Sequence, residues 1–339
     1  MLPAFFGLAG ASLSPDERDF FRDCDPAGFI LFQRNCASRA QLRGLTDELR
    51  ALSGRDDVPI LIDQEGGRVA RLKPPEWPPF PPGERFAALY DISPIAGLEA
   101  ARVNAAAIAA LLVEVGVNVD CLPLLDVRQP GAHDIIGDRA LGSDPLAVAS
   151  LGRMVVDGLR EGRVVGVVKH VPGHGRAMAD SHLELPVVDA PAEALEIDIA
   201  PFAKLHDAPM AMTAHVVYTA WDAERCASVS PKIIAEIIRG RIGFDGLLMS
   251  DDLGMKALAG DFADRARDVI AAGCDIALHC SGDMAEMQAA AGALEAIAEA
   301  ARDRMARAMA TIVGTEGEAY APLAEKRDAI FREAGIPLS

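Results

Sequence analysis

Short apolar runs alternate with longer amphipathic stretches along most of the chain. The apolar runs have the length of strands and cover residues 5–9, 28–32, 59–62, 117–122, 164–168, 208–213, 246–249 and 276–278. Stretches between them, such as residues 39–52 and 147–160, have the apolar spacing of helices. Alternating strands and helices predict a parallel sheet, and eight repeats favour a closed barrel over an open doubly wound sheet.

The predicted fold class is α/β, as a single (β/α)8 TIM-type barrel with a helical C-terminal extension. The length of 339 residues suits one such barrel with extra helices, so we expect one catalytic domain over residues 1–339. The charged region from about residue 284 to residue 339 is predicted to hold the last barrel helix and a helical appendage. The proline-rich run 74–82 is predicted to be a rigid loop, because the barrel pattern resumes after it.

Polar side chains gather directly after the predicted strands. Asp63 follows the third strand, Lys169 and His170 the fifth, His215 the sixth and Asp251 the seventh. Barrel enzymes build their active sites from the loops at this end of the strands. Lys169 also ends a buried strand, where a lysine needs a polar partner or an anionic or hydroxylated ligand. The pattern therefore predicts an active site at the C-terminal face of the barrel.

Two adjacent carboxylates, Asp251 and Asp252, end the seventh predicted strand. Successive side chains of a strand point to opposite faces, so only one of the two can face the mouth of the barrel. We assign chemistry to Asp251, as a nucleophile, a general base or a metal ligand. Asp252 is predicted to be the N-cap of a helix that begins near Met255.

The loop after the fifth strand carries His170, His174 and His182. With Asp180 or Asp251 these histidines resemble a ligand set, but their spacing matches no helical metal-ligand pattern, so we expect no metal. Asp180 and His182 instead have the spacing of a dyad in which a carboxylate orients an imidazole for proton transfer. The alternative for this pair is two solvated loop residues.

Further charged residues near the strand ends indicate which kind of ligand the site would bind. Asp63 would accept hydrogen bonds from paired hydroxyls, whereas arginine and lysine are donors that suit hydroxyls or carboxylates. An alternative pairs Asp63 or Glu65 with Arg68 or Arg71 as a structural ion pair, and for Arg68 we favour that alternative. The set predicts a site for a neutral, hydroxyl-rich molecule such as a carbohydrate, with these residues in it: Asp63, Arg71, Arg139 and Lys169.

Composition excludes several partners. The formal net charge of −17 and the pI near 4.8 argue against nucleic acid and anionic membrane surfaces as partners, because both attract basic patches.

No run approaches the roughly 18 apolar residues of a membrane span. The apolar N-terminus lacks a basic segment and contains Pro3, so it predicts a first barrel strand rather than a signal peptide. Six scattered cysteines without CxxC spacing are typical of reduced thiols, and we expect a cytoplasmic protein.

Six motifs spread in order between about residues 25 and 285 carry a family resemblance. They are ILFQRN (30–35), IDQEGGRVAR (62–71), IIGDRALGSDP (135–145), KHVPGHGRAMADSH (169–182), TAHVVY (213–218) and MSDDLGM (249–255). Together they resemble family 3 glycoside hydrolases, and most closely the bacterial β-N-acetylglucosaminidases of peptidoglycan recycling. Two positions depart from the usual sequence of the family's motifs. Val171 stands where phenylalanine is frequent, and Gly254 stands where serine is frequent. Neither residue can transfer a proton or carry a charge in the implied mechanism.

The resemblance implies a retaining mechanism through a covalent glycosyl-enzyme intermediate. Asp251 would be the nucleophile, His182 the general acid/base and Asp180 its orienting partner, while His174 would support the loop. The resemblance also implies a set of residues that bind the N-acetylglucosamine ring: Asp63, Arg71, Arg139, Lys169 and His170.

The implied substrate is N-acetylglucosaminyl-1,6-anhydro-N-acetylmuramic acid, with or without its stem peptide. We expect a monomer with this small-molecule partner, no cofactor, no nucleic acid and no membrane association. Three alternatives stay open. The first is a family 3 enzyme that acts on another sugar or prefers phosphate to water as the acceptor. The others are a metal-dependent barrel hydrolase and a non-catalytic sugar-binding protein.

Overall fold

A closed barrel of parallel strands forms the centre of the computed structural model, which describes residues 1–179, 181, 184–314 and 316–338. The strands are β1 (Leu2–Gly7), β2 (Pro26–Leu31), β3 (Ile60–Ile62), β4 (Val119–Asp120), β5 (Val165–Val171), β6 (Val187–Val188), β7 (Met210–Thr213), β8 (Val217–Tyr218), β9 (Leu247–Asp252) and β10 (Ile276–His279). Strands β6 and β8 pair outside the barrel, and the other eight close it in the order β1-β10-β9-β7-β5-β4-β3-β2. The predicted eight-stranded barrel is confirmed.

Helices connect the strands and surround the barrel. They are α1 (Pro15–Cys24), α2 (Arg39–Ser53), α3 (Gly83–Ile92), α4 (Pro94–Glu114), α5 (Pro145–Glu161), α6 (Glu196–Lys204), α7 (Phe262–Ala272), α8 (Met284–Gly292), α9 (Glu299–Ala310) and α10 (Tyr320–Glu333). A π-helix over Ile233–Arg241 takes the place of an α-helix between β8 and β9. Short 3-10 turns cover Gln33–Asn35, Gly137–Arg139 and Ala227–Val229.

Helix α2 shows how local sequence defines these elements. Its N-cap Ser38 accepts a hydrogen bond from a backbone N–H of the first turn, and Gly54 ends the helix with a left-handed φ of 64°. Leu42, Leu45 and Leu49 recur every three or four residues and are buried against the sheet. Burying a leucine side chain contributes about 1.5–3 kcal/mol, so this apolar stripe fixes which face of α2 packs inward.

The barrel has an inner core that is separate from the core between sheet and helices. Alternate strand residues fill the inside, among them Phe5, Leu61 and Val167. Met305 and Met309 of α9 join the same cluster, so the helix packs against the inner core of the barrel. This arrangement leaves the opposite end, where the strands finish, as the place for an open cavity.

Helix α4 is long and apolar enough to cross a membrane by length and composition, with a mean hydropathy of 1.5. The expectation that no segment passes this test is therefore wrong. In the most apolar 18-residue stretch of α4, 67% of the stretch is buried inside the protein, as in the core helix of a folded domain. Helix α10 packs on α4, where Arg327 donates to the side chain of Asn104, and its Phe331 contacts Phe86 of α3 edge to face.

Candidate active site

A cavity of about 360 Å³ opens at the C-terminal ends of the barrel strands. The described residues that the sequence predicts for the site all line it: Asp63, Arg71, Arg139, Lys169, His170 and Asp251. The predicted dyad of Asp180 and His182 lies outside the described residues. Ser181 is described, and its buried side chain lines the same cavity. The fold thus gathers residues from distant parts of the chain at the predicted end of the barrel.

Lys169 is the most deeply buried cation of the cavity, with 2% of its side chain exposed. Its Nζ lies 2.9 Å from Asp63 Oδ1 and 2.7 Å from Glu65 Oε1. Burial alone would raise the pKa of Asp63, but the charges of Lys169 and Arg71 outweigh it and lower that pKa. Burial likewise opposes the charge of Lys169, and the two carboxylates raise its pKa above the usual value. The lysine is therefore held as a cation.

Glu65 is a cavity residue that the sequence assigned only to a possible structural ion pair. Arg139 binds it through two parallel hydrogen bonds of 2.8 Å from Nε and Nη2. Burial opposes ionisation of Glu65, but Lys169 and Arg139 lower its pKa. Glu65 stands two residues after Asp63, the spacing of one face in an extended chain, and this spacing is the signal that could have identified it.

Two arginines near the cavity have different roles. Arg71 donates to Asp63 Oδ2 over 2.9 Å and lies over the ring of Phe32, with 5.1 Å from its Cζ to the ring centre. The ion-pair alternative therefore applies to Arg71, which also lines the cavity. Arg68 pairs with Asp138 over 2.8 Å and donates to three backbone carbonyls of residues 134–136. Arg68 therefore forms an ion pair, but the predicted partner, Asp63 or Glu65, is wrong, because those carboxylates bind Arg71, Arg139 and Lys169 instead.

Asp126 organises the histidine loop. The sequence places it shortly after the fourth predicted strand, among the polar residues at the strand ends, but assigns it no role. Its Oδ2 lies 2.8 Å from His170 Nδ1, and its Oδ1 accepts the backbone N–H groups of His170 and His174 over 3.2 and 2.6 Å. Burial alone would raise the pKa of Asp126, but His170 and the hydrogen bonds hold it at about 2. The ionised carboxylate accepts a hydrogen bond from Nδ1–H of His170, so Nε2 is the ring nitrogen that does not bind Asp126.

His174 is buried beneath the loop rather than exposed to solvent. Burial lowers its pKa to about 4, and its Nε2 lies 3.3 Å from Ser181 Oγ. The next residue must be glycine, because a Cβ on Gly175 would lie 1.9 Å from the carbonyl oxygen of Val127. Within residues 1–179, 181, 184–314 and 316–338, no group of three His, Cys, Asp or Glu side chains could hold a metal ion.

Asp251 and Asp252 end β9 and both line the cavity, but their contacts differ. The Asp252 backbone N–H donates to Asp251 Oδ1 over 2.8 Å. The Asp252 carboxylate accepts the backbone N–H groups of Gly254 and Cys280, each over 3.0 Å. The predicted N-cap is wrong. Asp252 instead stabilises a turn and the end of β10, and α7 begins only at Phe262.

Fold and site together define a TIM-barrel enzyme whose cavity combines the two adjacent carboxylates at the end of β9 with donors that suit a hydroxyl-rich ligand. The model of the glycosyl hydrolase family 3 N terminal domain matches residues 8–313. The chain belongs to this family of glycoside hydrolases, and the resemblance that its six motifs predict is confirmed.

The names of similar proteins support this assignment. A beta-hexosaminidase of Alkalilimnicola ehrlichii is 42% identical over 286 residues, which are 82% of this chain and 80% of the relative. A beta-hexosaminidase of Bordetella pertussis is 39% identical over 291 residues, with 84% and 81% covered. The structure of NagZ from Neisseria gonorrhoeae in complex with N-trifluoroacetyl-D-glucosamine is similar with a TM-score of 0.83 and 31% identity, covering 98% of this chain and 94% of that one.

Proposed function

We propose that the protein is a retaining β-N-acetylglucosaminidase that hydrolyses terminal N-acetylglucosamine from muropeptides. The observation that carries this proposal is the common cavity of Asp251 and the ion-pair network around Lys169. A strand-end carboxylate beside a cluster of fixed donors is the arrangement that a glycosidase needs for its nucleophile and its sugar. The relatives named beta-hexosaminidase, together with the similar NagZ structure in complex with N-trifluoroacetyl-D-glucosamine, support the N-acetylhexosaminide class.

The sugar ring would bind to residues that are already fixed by one another. Asp63 and Glu65 hold the cations of Lys169, Arg71 and Arg139, so little reorganisation is needed when a hydroxyl-rich ligand enters. The buried Nε of Arg71 has no hydrogen-bond partner among the described residues. A buried donor of this kind is normally satisfied by a ligand or by water.

The proposed reaction has two steps at the anomeric carbon. In the first, Asp251 forms a C–O bond to that carbon while the glycosidic C–O bond breaks, and His182 donates a proton to the leaving oxygen. In the second, His182 takes a proton from water, the water oxygen attacks the anomeric carbon, and Asp251 is released. The roles of His182 and its partner Asp180 come from the family resemblance. His182 donates as the imidazolium and is neutral after the first step, and a neutral imidazole does not repel an incoming anion as a second carboxylate would.

We further propose that the substrate is N-acetylglucosaminyl-1,6-anhydro-N-acetylmuramic acid, with or without its peptide, in a cytoplasmic cell-wall recycling route. The six cysteines are free thiols, which supports a reducing compartment. Incubation with this disaccharide and mass spectrometry should detect free N-acetylglucosamine and the anhydromuramyl product. Release of neither product would limit the proposal to simpler N-acetylglucosaminides.

The direct test compares 4-nitrophenyl N-acetyl-β-D-glucosaminide with the matching β-glucoside, each with and without EDTA and phosphate. We expect turnover of the first substrate only, without inhibition by EDTA and with N-acetylglucosamine as the product in phosphate buffer. A glycosyl phosphate product would make the enzyme a phosphorylase. Turnover of the glucoside alone would overturn the sugar specificity, and loss with EDTA would support the metal-dependent alternative.

A further inference from the structure

The TAHVVY motif has no role in the sugar contacts or proton transfers described above. It contains His215, which follows β7 and is fully buried. The ring connects two strand ends, because Nε2 lies 3.0 Å from the backbone oxygen of Asp252 and Nδ1 lies 2.7 Å from Ser228 Oγ. A buried imidazole with both nitrogens in hydrogen bonds is fixed in orientation.

These partners also define the tautomer of His215. A carbonyl oxygen only accepts, so the proton must be on Nε2, and Nδ1 then accepts from the hydroxyl of Ser228. The backbone oxygen of Ala214 also lies 3.1 Å from Ser228 Oγ, but Nδ1 is the nearer acceptor of the single hydroxyl proton. The hydroxyl of Thr213 lies 2.6 Å from Ser228 Oγ and can donate to it. Burial lowers the pKa of His215, which agrees with a neutral ring of one defined tautomer. The donor direction therefore runs from Thr213 through Ser228 and His215 to Asp252.

The residue that receives this hydrogen bond is the one that contacts Asp251. The backbone N–H of Asp252 donates to Asp251 Oδ1 over 2.8 Å. The Asp252 side chain is held from the other side by the N–H groups of Gly254 and Cys280. Asp252 is thus fixed at its backbone carbonyl, its backbone N–H and its side-chain carboxylate, and His215 supplies the contact at the carbonyl.

We propose that His215 is a positioning residue that fixes the carboxylate of Asp251 through the backbone of Asp252, with Ser228 selecting the required tautomer. The inference rests on the proposed role of Asp251 as the nucleophile. A nucleophile must lie in line with the anomeric carbon, and displacement by about 1 Å can lower a rate by about 100-fold. The proposed sugar-binding residues Asp63 and Lys169 lie at the ends of the other strands β3 and β5, so the effect should fall on the chemical step.

Two substitutions of nearly equal polarity separate positioning from simple filling of space. Glutamine at this position places an amide N–H near the site of Nε2, so His215→Gln keeps a donor for Asp252. Asparagine places its amide near the site of Nδ1, so His215→Asn loses that donor. For the aryl N-acetylglucosaminide we expect kcat to fall about 100-fold in His215→Asn and less than about 10-fold in His215→Gln, with KM nearly unchanged in both.

Equal losses of kcat in the two variants, or an increase in KM alone, would overturn the proposal. The wild-type protein provides a measurement that does not depend on the folding of variants. Its 15N NMR spectrum should show His215 as a neutral ring with the proton on Nε2, and a ring protonated on Nδ1 alone would contradict the proposal. His206 is exposed between α6 and the N-terminal end of β7, so His206→Asn is the matched control and should keep wild-type activity.

One further variant distinguishes failure of this inference from failure of the proposed function. Asp251→Asn should be inactive on the aryl substrate if Asp251 is the nucleophile. An active Asp251→Asn enzyme would overturn the proposed mechanism itself. An inactive Asp251→Asn enzyme together with a fully active His215→Asn enzyme would overturn only the role of His215.

Discussion

The ammonium nitrogen of Lys169 lies 2.9 Å from Oδ1 of Asp63 in the interior of the barrel mouth. Both groups are withdrawn from water, so each depends on the other for the solvation that water would provide. Removal of one partner from a buried pair leaves an uncompensated charge. The pair therefore links the stability of the barrel to the ability of its mouth to bind a polar ligand.

Lys169→Met keeps the length of the side chain and removes its charge. We expect the free energy of unfolding to fall by about 3 kcal/mol, because the carboxylates of Asp63 and Glu65 lose a buried cation. KM for the aryl substrate should rise as well. Urea unfolding and steady-state kinetics measure both effects. Lys326→Met is the matched control, since Lys326 pairs with Glu99 at the surface, and equal stability of the two variants would contradict the prediction.

Asp120 is predicted to behave in the opposite way to Asp63, although it ends the neighbouring strand. Its Oδ1 accepts the backbone N–H of Gln64 over 2.9 Å, and its Oδ2 has no partner among the described residues. Burial raises the pKa of Asp120 well above its usual value, so the protonated form is favoured. Asparagine resembles a protonated carboxyl group, so Asp120→Asn should retain activity and stability at pH 7, whereas Asp63→Asn should lose both.

The sign of the pH dependence follows from the raised pKa of Asp120. Its contribution to stability is complete below the unfolded pKa of about 4 and is lost as the pH rises through the folded pKa. Asp120→Asn removes this loss. Compared with the wild type in urea unfolding, the variant should therefore gain stability from pH 4 to pH 8. A stability difference between the two proteins that does not change over this range would show that Asp120 is ionised in the folded protein.

His174 predicts a pH dependence in the acidic range. Its folded pKa of about 4 lies below the unfolded value of about 6.5, so its contribution to stability is present above pH 6.5 and is lost as the pH falls towards 4. The maximum slope for one proton is about 1.4 kcal/mol per pH unit. His174→Gln should reduce the slope in urea unfolding between these pH values. His206→Gln, at an exposed histidine, should leave it unchanged, and equal slopes in all three proteins would refute the assignment.

The fold was accessible to sequence reasoning because a buried parallel strand is marked by its own apolar residues. Each predicted strand corresponds to a barrel strand, although β4 has only two residues, Val119–Asp120. Asp252 shows the limit of local patterns. An aspartate before Leu-Gly-Met resembles a helix start, but its carboxylate binds the N–H of Cys280, which lies 28 residues further along the chain. A contact of this sequence separation leaves no local pattern.

The same limit explains which site residues were missed. Asp63, Lys169 and Asp251 were identified because each follows a predicted apolar strand, and the barrel topology then determines where they meet. Asp126 lies in a loop, and its partners His170 and His174 are 44 and 48 residues away. Its role depends on how that loop folds over β5, which neither hydrophobic periodicity nor motif spacing describes.

The proposed acid/base role of His182 predicts a dependence on the leaving group. In His182→Ala, hydrolysis should slow greatly for alkyl N-acetylglucosaminides, because their leaving oxygen needs a proton in the transition state, with general acid catalysis contributing about 10²–10⁴-fold. For 4-nitrophenyl N-acetylglucosaminide the formation of the glycosyl enzyme should change little, because nitrophenolate leaves without protonation. A pre-steady-state burst should then become visible, since removal of the base slows attack by water on the intermediate.

Asp251→Ala should abolish turnover of both substrates. Equal losses of His182→Ala on alkyl and nitrophenyl substrates in the first step would assign proton transfer to another residue.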